Sequence, residues 1–204
     1  MKNFKTIVLS NQEISPGYYR MKILAPGFGE RAKPGQFIMF RVQTSLPPLL
    51  RRPFGIFRTG FLPPHCEGLA PREYLEILYK VVGRGTGIMC SLHEGDRVEV
   101  LGPLGRGFDP GDPETEKILV GGGIGLVPLF MLAEELVRSS EVRLLMGGRT
   151  RDDILAVTEF ERLKRERQSL TQRLESVRGR QYSLGLGASE LASQKESLVK
   201  SLQV

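Results

Sequence analysis

The chain has 204 residues, 40% of them hydrophobic and 25% charged, which is typical of a soluble protein with one large or two small domains. No apolar run approaches the ~18 residues of a membrane-spanning helix, and no apolar signal core follows Met1, so we expect a cytoplasmic protein with no membrane partner. Cys66 and Cys90 are too few for a disulfide framework and lack the close pairing of a metal site. We predict two plain thiols and no metal ligand.

The net charge of +6 is concentrated near the C-terminal end of the sequence. Residues 162–204 contain nine Lys and Arg against four Glu, a balance of 9 − 4 = +5. A basic segment can bind polyanions, but this one has little of the aromatic interleaving found in nucleic-acid-binding surfaces. We therefore predict no nucleic-acid partner.

Residues 1–102 form a first predicted domain of short strands separated by Gly/Pro turns, such as Ser15-Pro16-Gly17 and Lys33-Pro34-Gly35. Repeated strands of this length favour a barrel or a sandwich. The predicted strands are Lys5–Ser10, Tyr18–Ala25, Gln36–Val42, Phe54–Arg58, Tyr74–Val82 and Arg97–Leu101. A helical turn is expected at Gly87–Leu92, and a proline-rich loop at Gly60–Arg72.

Residues 103–163 are predicted to be an α/β domain. A short apolar strand, Lys117–Val120, enters a run of glycines, a helix follows over Leu126–Val137, and Glu141–Met146 forms a second strand. This order of strand, glycine loop, helix and strand opens a dinucleotide-binding sheet. We expect Pro128 in the first helical turn, where its missing N–H is tolerated.

Residues 164–204 change in character and contain no clear strand. Leu163, Leu170, Leu174 and Val177 are spaced like one helical stripe that could pack on the sheet or bind a partner helix. Because an open parallel sheet should continue here with more strands, our main hypothesis is a truncated or frameshifted product or a gene-model error. A genuine divergent C-terminus with this stripe is the alternative, and the segment is expected to be disordered or helical. Because a half-built parallel sheet leaves an edge exposed, we expect marginal stability in the α/β domain.

The glycine run is the strongest single indication of a ligand. It comprises Gly121, Gly122, Gly123, Ile124 and Gly125, between a strand and a helix. Glycines let backbone N–H groups approach a pyrophosphate, and the helix N-terminus adds partial positive charge. The spacing is not the full G-x-G-x-x-G fingerprint, so a tight structural turn remains the alternative.

Three weaker signals precede it in the first domain. Arg52, before a strand, could grip a diphosphate with two N–H donors, although such an arginine is often simply solvated. The turn around Gly85 and Thr86 could present backbone amides and a hydroxyl to the same group. Tyr79 could stack on an aromatic ligand or merely pack on the barrel.

Four motifs in this order resemble the ferredoxin-reductase superfamily. They are Arg-Pro-Phe-Gly-Ile (52–56), Leu-Tyr-Lys-Val-Val-Gly-Arg-Gly-Thr (78–86), Leu-Gly-Pro-Leu-Gly-Arg-Gly-Phe (101–108) and Gly-Gly-Gly-Ile-Gly-Leu-Val-Pro-Leu (121–129). More closely, residues 3–163 resemble the electron-transfer subunit of type B dihydroorotate dehydrogenase.

The resemblance implies a six-stranded antiparallel FAD-binding barrel followed by an incomplete Rossmann-like NAD-binding domain. In the family, electrons from dihydroorotate pass from FMN in a separate catalytic subunit, through a [2Fe-2S] cluster, to FAD and NAD. The resemblance also implies a heterotetramer with that catalytic subunit. It implies no general base, because hydride transfer to the flavin relies on cofactor placement. Another superfamily member, such as a hydrogenase-associated subunit, and a non-catalytic flavin-binding remnant are the alternatives.

The resemblance assigns ligand contacts residue by residue. The implied FAD contacts are Arg52, Pro53, Phe54, Gly55, Leu78, Tyr79, Lys80, Gly85 and Thr86. The implied NAD contacts are Gly121, Gly122, Gly123, Ile124 and Gly125. Arg149, after the second strand of the α/β domain, could meet the 2′-phosphate of NADP, but a solvated loop residue is favoured.

The chain departs from the family in two places. Gly55 stands where the family usually has Ser or Thr, whose hydroxyl would hydrogen-bond the reactive edge of the flavin; we predict weaker tuning of the flavin and retained FAD binding. The cysteines that would hold the cluster also lack counterparts, since no cysteine follows Cys90.

Overall fold

The computed structural model describes residues 2–29, 31–42, 50–62 and 72–202. The chain divides into two compact units, residues 1–160 and residues 161–204. The first unit contains both sheets, and the second consists of the continuation of one long helix. Cys66 and most of the predicted loop Gly60–Arg72 lie outside the described residues.

The barrel region is an antiparallel sheet of seven strands in the order β4-β3-β7-β1-β2-β6-β5. Its elements are β1 (Lys2–Ser15), β2 (Tyr18–Leu24), β3 (Phe37–Val42), β4 (Arg52–Gly55), β5 (Arg58–Leu62), β6 (Arg72–Lys80), the helix α1 (Arg84–Met89) and β7 (Arg97–Leu104). The antiparallel barrel-like fold is confirmed, but the sheet is not closed by pairing among the described strands.

The prediction of six strands was wrong because the expected strand Phe54–Arg58 is two strands. Ile56 and Phe57, between β4 and β5, are fully buried. The Ile56 N–H donates to the carbonyl of Gln36, just before β3, at 3.1 Å, and the Phe57 N–H donates to the carbonyl of Glu76 on β6 at 2.8 Å. Burial of both side chains thus turns the chain from β4 to β5. The predicted helical turn also begins earlier, at Arg84, and ends at Met89.

Alternation along β6 gives the strand two different faces. Leu75, Ile77 and Tyr79 point into the barrel and belong to its buried core. Glu76 and Lys80 lie on the opposite face. Residues 75 to 79 are all buried, so β6 is covered on both sides. The face with Glu76 and Lys80 meets the α/β region.

The α/β region follows the predicted order. It contains β8 (Lys117–Gly122), a 3-10 turn (Gly123–Leu126), α2 (Val127–Leu136) and β9 (Val142–Gly147), and then a second 3-10 turn (Arg151–Asp153) and α3 (Val157–Leu202). β8 and β9 pair in parallel, with Lys117 opposite Val142 and Gly122 opposite Gly147. Pro128 is the second residue of α2, as predicted.

One face of this two-stranded sheet is open. Ile118 and Val120 on β8 are 61% and 68% exposed, and Leu145, opposite Val120, is 58% exposed. The other face is covered in part by α2, whose Phe130 is fully buried. The segment after residue 164, for which disorder and helix were alternatives, is helical to Leu202, with Leu174 and Val177 more than half exposed. No described helix is long and apolar enough to cross a membrane.

The connector between β7 and β8 is fastened to the barrel. The Phe108 N–H donates to the carbonyl of Pro34 at 2.8 Å, and the Gln36 side chain donates to the carbonyl of Gly105 at 2.8 Å. The Phe108 ring covers Gly35, which has a φ of +82°; a Cβ on residue 35 would lie 2.6 Å from that ring. Glycine is therefore required there by both backbone conformation and space.

Candidate functional site

Arg52 and Gly85 form a close pair between β4 and α1. The Arg52 guanidinium lies over Gly85, and a Cβ on residue 85 would be 2.0 Å from Cζ of Arg52. One Arg52 nitrogen donates to the carbonyl of Leu50 at 2.9 Å. The first turn of α1 contains no acidic residue. A cationic fork is thus held beside the free N–H groups of a helical first turn, which is a donor set suited to a diphosphate.

Thr86 is engaged in holding its own turn. Its side chain is nearly buried, and Oγ1 accepts hydrogen bonds from the N–H groups of Val82 (2.9 Å) and Gly83 (3.2 Å). The hydroxyl lies 3.1 Å from the Gly83 carbonyl, to which it donates. The hydroxyl therefore shapes the loop, and contact of Thr86 with a diphosphate remains a prediction for its backbone N–H.

The three residues Leu78 to Lys80 do not share one direction. The Tyr79 ring is buried in the barrel, where it stacks on Tyr19 at 5.5 Å and donates from its hydroxyl to Oδ1 of Asn11 at 3.0 Å. Burial raises the pKa of Tyr79. The half-buried Phe54 meets the edge of this ring at 5.9 Å, while Pro53 is exposed. The Tyr79 side chain thus packs inside the barrel, which was one of its two expected roles. Its stacking on an aromatic ligand stays a prediction.

The glycine run sits at the carboxyl end of β8. Gly123 has a φ of +52°, in the left-handed region, and opens the 3-10 turn that leads into α2. A Cβ on Gly121 would lie 2.9 Å from Leu126, so this glycine is needed for close packing of the turn. Gly122, Ile124 and Gly125 are exposed. Their exposure at a strand end followed by a helix is the placement a dinucleotide loop requires.

The two predicted ligand motifs meet at Gly55. A Cβ on Gly55 would lie 3.6 Å from Cγ1 of Val127 and 3.9 Å from Pro128, which is ordinary contact. The end of the Arg-Pro-Phe-Gly-Ile motif therefore faces the start of α2, directly after the glycine run. There is room at this position for a Cβ.

A charged cluster that the sequence did not indicate joins the barrel to the α/β region. The Tyr18 hydroxyl donates to Oδ1 of Asp153 at 2.5 Å, and Nζ of Lys80 reaches the same oxygen at 3.2 Å and the Tyr18 oxygen at 2.8 Å. These hydrogen bonds lower the pKa of Asp153 and raise that of Lys80. Only the acidic pair at 152–153 after the Gly-Gly-Arg turn could have hinted at it.

A second set of contacts lies beside this cluster. Arg20 on β2 pairs with the buried Glu76 and with Glu159 of α3. Burial raises the pKa of Glu76, although the neighbouring Arg20 opposes the shift. Phe57 stacks on Phe130 of α2 at a ring-centroid distance of 4.4 Å. Both polar and aromatic contacts thus bind the barrel to the α/β region.

Arg149 is 85% exposed at its side chain, and its Nε lies 3.7 Å from Oδ2 of Asp153. Arg149 is thus a solvent-exposed residue after β9, and its contact with the 2′-phosphate of NADP stays a prediction. Its nearest acidic partner is the residue that also holds Tyr18 and Lys80.

The residues present do not fit an iron–sulfur cluster. A [2Fe-2S] centre of this type takes four cysteine thiolates, and the sequence supplies two cysteines. The described residues contain no group of three or more His, Cys, Asp or Glu that could hold a metal. Cys90 is half-buried, with Sγ 3.1 Å from the carbonyl of Gly87.

Comparison with known proteins gives consistent relatives. The chain is 36% identical over 166 residues to the dihydroorotate dehydrogenase B (NAD(+)) electron transfer subunit of Desulforamulus reducens, covering 81% of this chain and 60% of that protein. The Bacillus pumilus protein of the same name is 32% identical, covering 80% and 61%. The chain thus spans about three fifths of the length of these relatives. No family model matches it.

Solved structures point to the same fold. An NADH-dependent reduced ferredoxin–NADP oxidoreductase superposes with a TM-score of 0.61 at 27% identity, over 76% of this chain and 52% of that one. A cytochrome P450 reductase from Amycolatopsis superposes with a TM-score of 0.65 at 25% identity, over 82% and 49%. The chain therefore has a ferredoxin-reductase-like fold, and the resemblance that its motifs predicted to the electron-transfer subunits of dihydroorotate dehydrogenase B is confirmed.

Proposed function

We propose that this chain binds FAD and NAD and carries electrons between dihydroorotate oxidation, performed by an FMN-containing partner subunit in the cytoplasm, and NAD. The observation that carries the proposal is the junction at Gly55, where the flavin motif of the barrel faces Val127 and Pro128 at the start of α2, directly after the glycine run in sequence. The names of the relatives support the choice of dihydroorotate as the source of electrons. The assembly with that partner would be a heterotetramer.

The Arg52 and Gly85 pair would hold the FAD diphosphate. The guanidinium supplies charge and two-pronged donation, and the absence of a side chain on Gly85 leaves the space that this cation occupies. Gly85 and Thr86 would add backbone N–H groups. Phe54 would line the ring system beside Gly55, with the exposed Pro53 fixing the backbone at this point.

The exposed glycines would receive the nicotinamide nucleotide. Gly122, Gly123 and Gly125 leave the backbone of the turn open to a pyrophosphate, and α2 begins directly behind them. When bound, FAD supplies the ring that exchanges a hydride with the nicotinamide. The residues of this chain bind, orient and bring together the two cofactors; no side chain is assigned as an acid or base.

FAD binding is tested by Gly85→Ala with Gly87→Ala as its control. Both glycines lie in α1, but a Cβ would lie 2.0 Å from Arg52 at residue 85 and would have no neighbour within 4 Å at residue 87. We expect the wild-type and Gly87→Ala chains to purify with flavin absorbance, and Gly85→Ala to lose most of it. Equal flavin content in the two variants would remove Arg52 and Gly85 from the site.

NAD binding is tested by Gly125→Asp with Gly125→Ala as its control. A Cβ at residue 125 meets nothing within 4 Å, so both variants should fold. The added carboxylate should repel a pyrophosphate and raise the NADH concentration needed to reduce the flavin by about tenfold. Anaerobic NADH titration provides the measurement. A flavin that NADH does not reduce in the wild type would identify a non-catalytic flavin-binding remnant.

Gly55→Ser tests the predicted effect on flavin tuning. The serine Cβ would fit in ordinary contact with Val127, so FAD should be retained. The restored hydroxyl should change the flavin potential and the rate of hydride transfer. An unchanged potential together with an unchanged rate would contradict the prediction.

A further inference from the structure

The cluster of Tyr18, Lys80 and Asp153 is built from the ends of three elements. Tyr18 begins β2, Lys80 ends β6, and the two are opposite each other in the antiparallel register. Asp153 ends the 3-10 turn after β9. Tyr18 and Asp153 are 4% and 8% exposed. The cluster therefore links Lys80, one of the implied FAD contacts, to the segment that follows the second strand of the α/β region.

Within the cluster each charge is compensated. Oδ1 of Asp153 accepts from Tyr18 at 2.5 Å and from Lys80 at 3.2 Å, and Nζ of Lys80 lies 4.4 Å from the Tyr18 ring centroid. Because buried charged groups are expensive to leave without partners, loss of one member destabilises the arrangement of the other two. The geometry thus favours one fixed position of Asp153 relative to β2 and β6.

The cluster also touches both glycine turns of the α/β region. A Cβ on Gly123 would lie 3.8 Å from the Tyr18 hydroxyl and 3.9 Å from the Asp153 carbonyl oxygen. A Cβ on Gly148 would lie 3.0 Å from Cβ of Asp153. The Ser15 hydroxyl adds a hydrogen bond to the Asp152 carbonyl at 2.9 Å. The turn that opens α2 therefore lies beside the Tyr18 hydroxyl and the Asp153 backbone carbonyl.

We propose that Asp153 is a positioning residue, which, with Tyr18 and Lys80, fixes the Gly121–Gly125 turn relative to the flavin end of the barrel. This rests on the proposed function of both motifs. Asp153 contacts neither cofactor in this proposal. Its effect is on the approach of the nicotinamide to the flavin, and a displacement of about 1 Å can slow a reaction about a hundredfold.

The first test needs no cofactor. Amide hydrogen exchange is measured on the cofactor-free chain for the wild type, Asp153→Asn and Tyr18→Phe, with Asp152→Asn as the matched control because Asp152 is exposed. We expect exchange in residues 121–125 to become about tenfold faster in the first two variants, with strands β3 and β7 unchanged. Unchanged exchange at 121–125 in both variants overturns the proposal.

The second test separates positioning from nucleotide binding. In anaerobic stopped-flow experiments with NADH, we expect Asp153→Asn and Tyr18→Phe to keep their flavin content and to reduce it about tenfold or more slowly at saturating NADH. The half-saturating NADH concentration should change less than about threefold. The double variant should be no slower than the slower single variant, because the residues act as one unit.

The outcomes distinguish this inference from the proposed function. If the wild type holds FAD and is reduced by NADH, but both variants react at the wild-type rate, only the positioning role is overturned. A proportional loss of NADH affinity and rate also overturns it. If NADH does not reduce the wild-type flavin, the proposed function fails, and the inference fails with it. Should Asp153→Asn not fold, Tyr18→Phe, which removes one hydroxyl, decides the result.

Discussion

The barrel and the α/β region belong to the same compact unit but differ in how completely they bury their apolar side chains. In the barrel, residues of β2, β3, β6 and β7 bury one continuous apolar core. In the α/β region, two parallel strands carry one covered face and one face on which Ile118 and Val120 are mostly exposed. Parallel sheets normally have both faces covered. The difference teaches that the α/β region depends on its contacts with the barrel more than the barrel depends on it.

Among the changes proposed here, Phe130→Ala should weaken the packing of the α/β region on the barrel most strongly. Phe130 is fully buried between Phe57 and Phe160, at centroid distances of 4.4 and 5.1 Å. We expect a loss of about 3–5 kcal/mol in the free energy of unfolding of the α/β region. Hydrogen exchange should show β8 and β9 losing protection while β3 and β7 retain it. Glu135→Ala, an exposed change in the same helix, is the control. Equal loss of protection in both regions would contradict the comparison.

The matched pair Ile77→Ala and Ile118→Ala sharpens the comparison. The same side chain is removed from β6, where it is fully buried, and from β8, where it is 61% exposed. We expect a loss of about 2–5 kcal/mol at residue 77 and within about 0.5 kcal/mol at residue 118. Urea unfolding of both variants measures the difference. Similar losses would mean that the open face is covered in solution.

Glu76→Gln should change the pH dependence of stability. Burial raises the folded-state pKa of Glu76. The nearby cations Arg20, Lys22 and Arg58 lower this pKa, and the Glu159 carboxylate raises it, but burial is the largest effect. The folded protein therefore binds this proton more tightly, so stability from this group is present below about pH 4.5 and is lost as pH rises through the raised pKa.

The glutamine side chain cannot ionise, so the variant should not lose stability as pH rises through the raised pKa of Glu76. Urea midpoints of the wild type and Glu76→Gln, measured from pH 4.5 upward, should therefore diverge in favour of the variant. Glu135→Gln, at an exposed position, should follow the wild type. Parallel curves for the wild type and Glu76→Gln would contradict the prediction.

A double change on the open face should also have only a small effect on stability. Val120→Thr with Leu145→Thr replaces an opposed, exposed apolar pair by β-branched polar residues. We expect the free energy of unfolding to change by no more than about 1 kcal/mol, while aggregation on concentration falls. Light scattering at increasing concentration measures the second effect. Unchanged scattering would show that this face does not drive association.

Sequence reasoning succeeded where a local pattern determines the structure. The glycine run after Lys117–Val120 and the turn at Pro16-Gly17 are recognisable because backbone conformation requires those residues. The strand Phe54–Arg58 failed, since the break at Ile56 and Phe57 comes from burial against distant parts of the chain. Periodicity along a segment of five residues, of which Phe54, Ile56 and Phe57 have apolar side chains, does not reveal such a break.

The candidate site also separates into local motifs, whose ligand contacts remain predictions, and a long-range cluster. Arg52, Gly85 and the glycine run were predicted from motifs, and the structure shows why glycine is required at residue 85. The Tyr18, Lys80 and Asp153 cluster was missed because its members are 62 to 135 residues apart. Their pairing depends on strand register and on the placement of a single turn, and neither is encoded by a local pattern.

The anchored connector has a consequence for experiments with proteases. Arg106 is exposed and offers a cleavage site for trypsin, but Gly105 and Phe108 on either side are hydrogen-bonded to the turn at Pro34–Gln36. A protease must draw several residues of substrate into an extended form, so the backbone here must first detach from the barrel. Limited digestion should therefore not release the barrel as a separate fragment by cutting at residue 106.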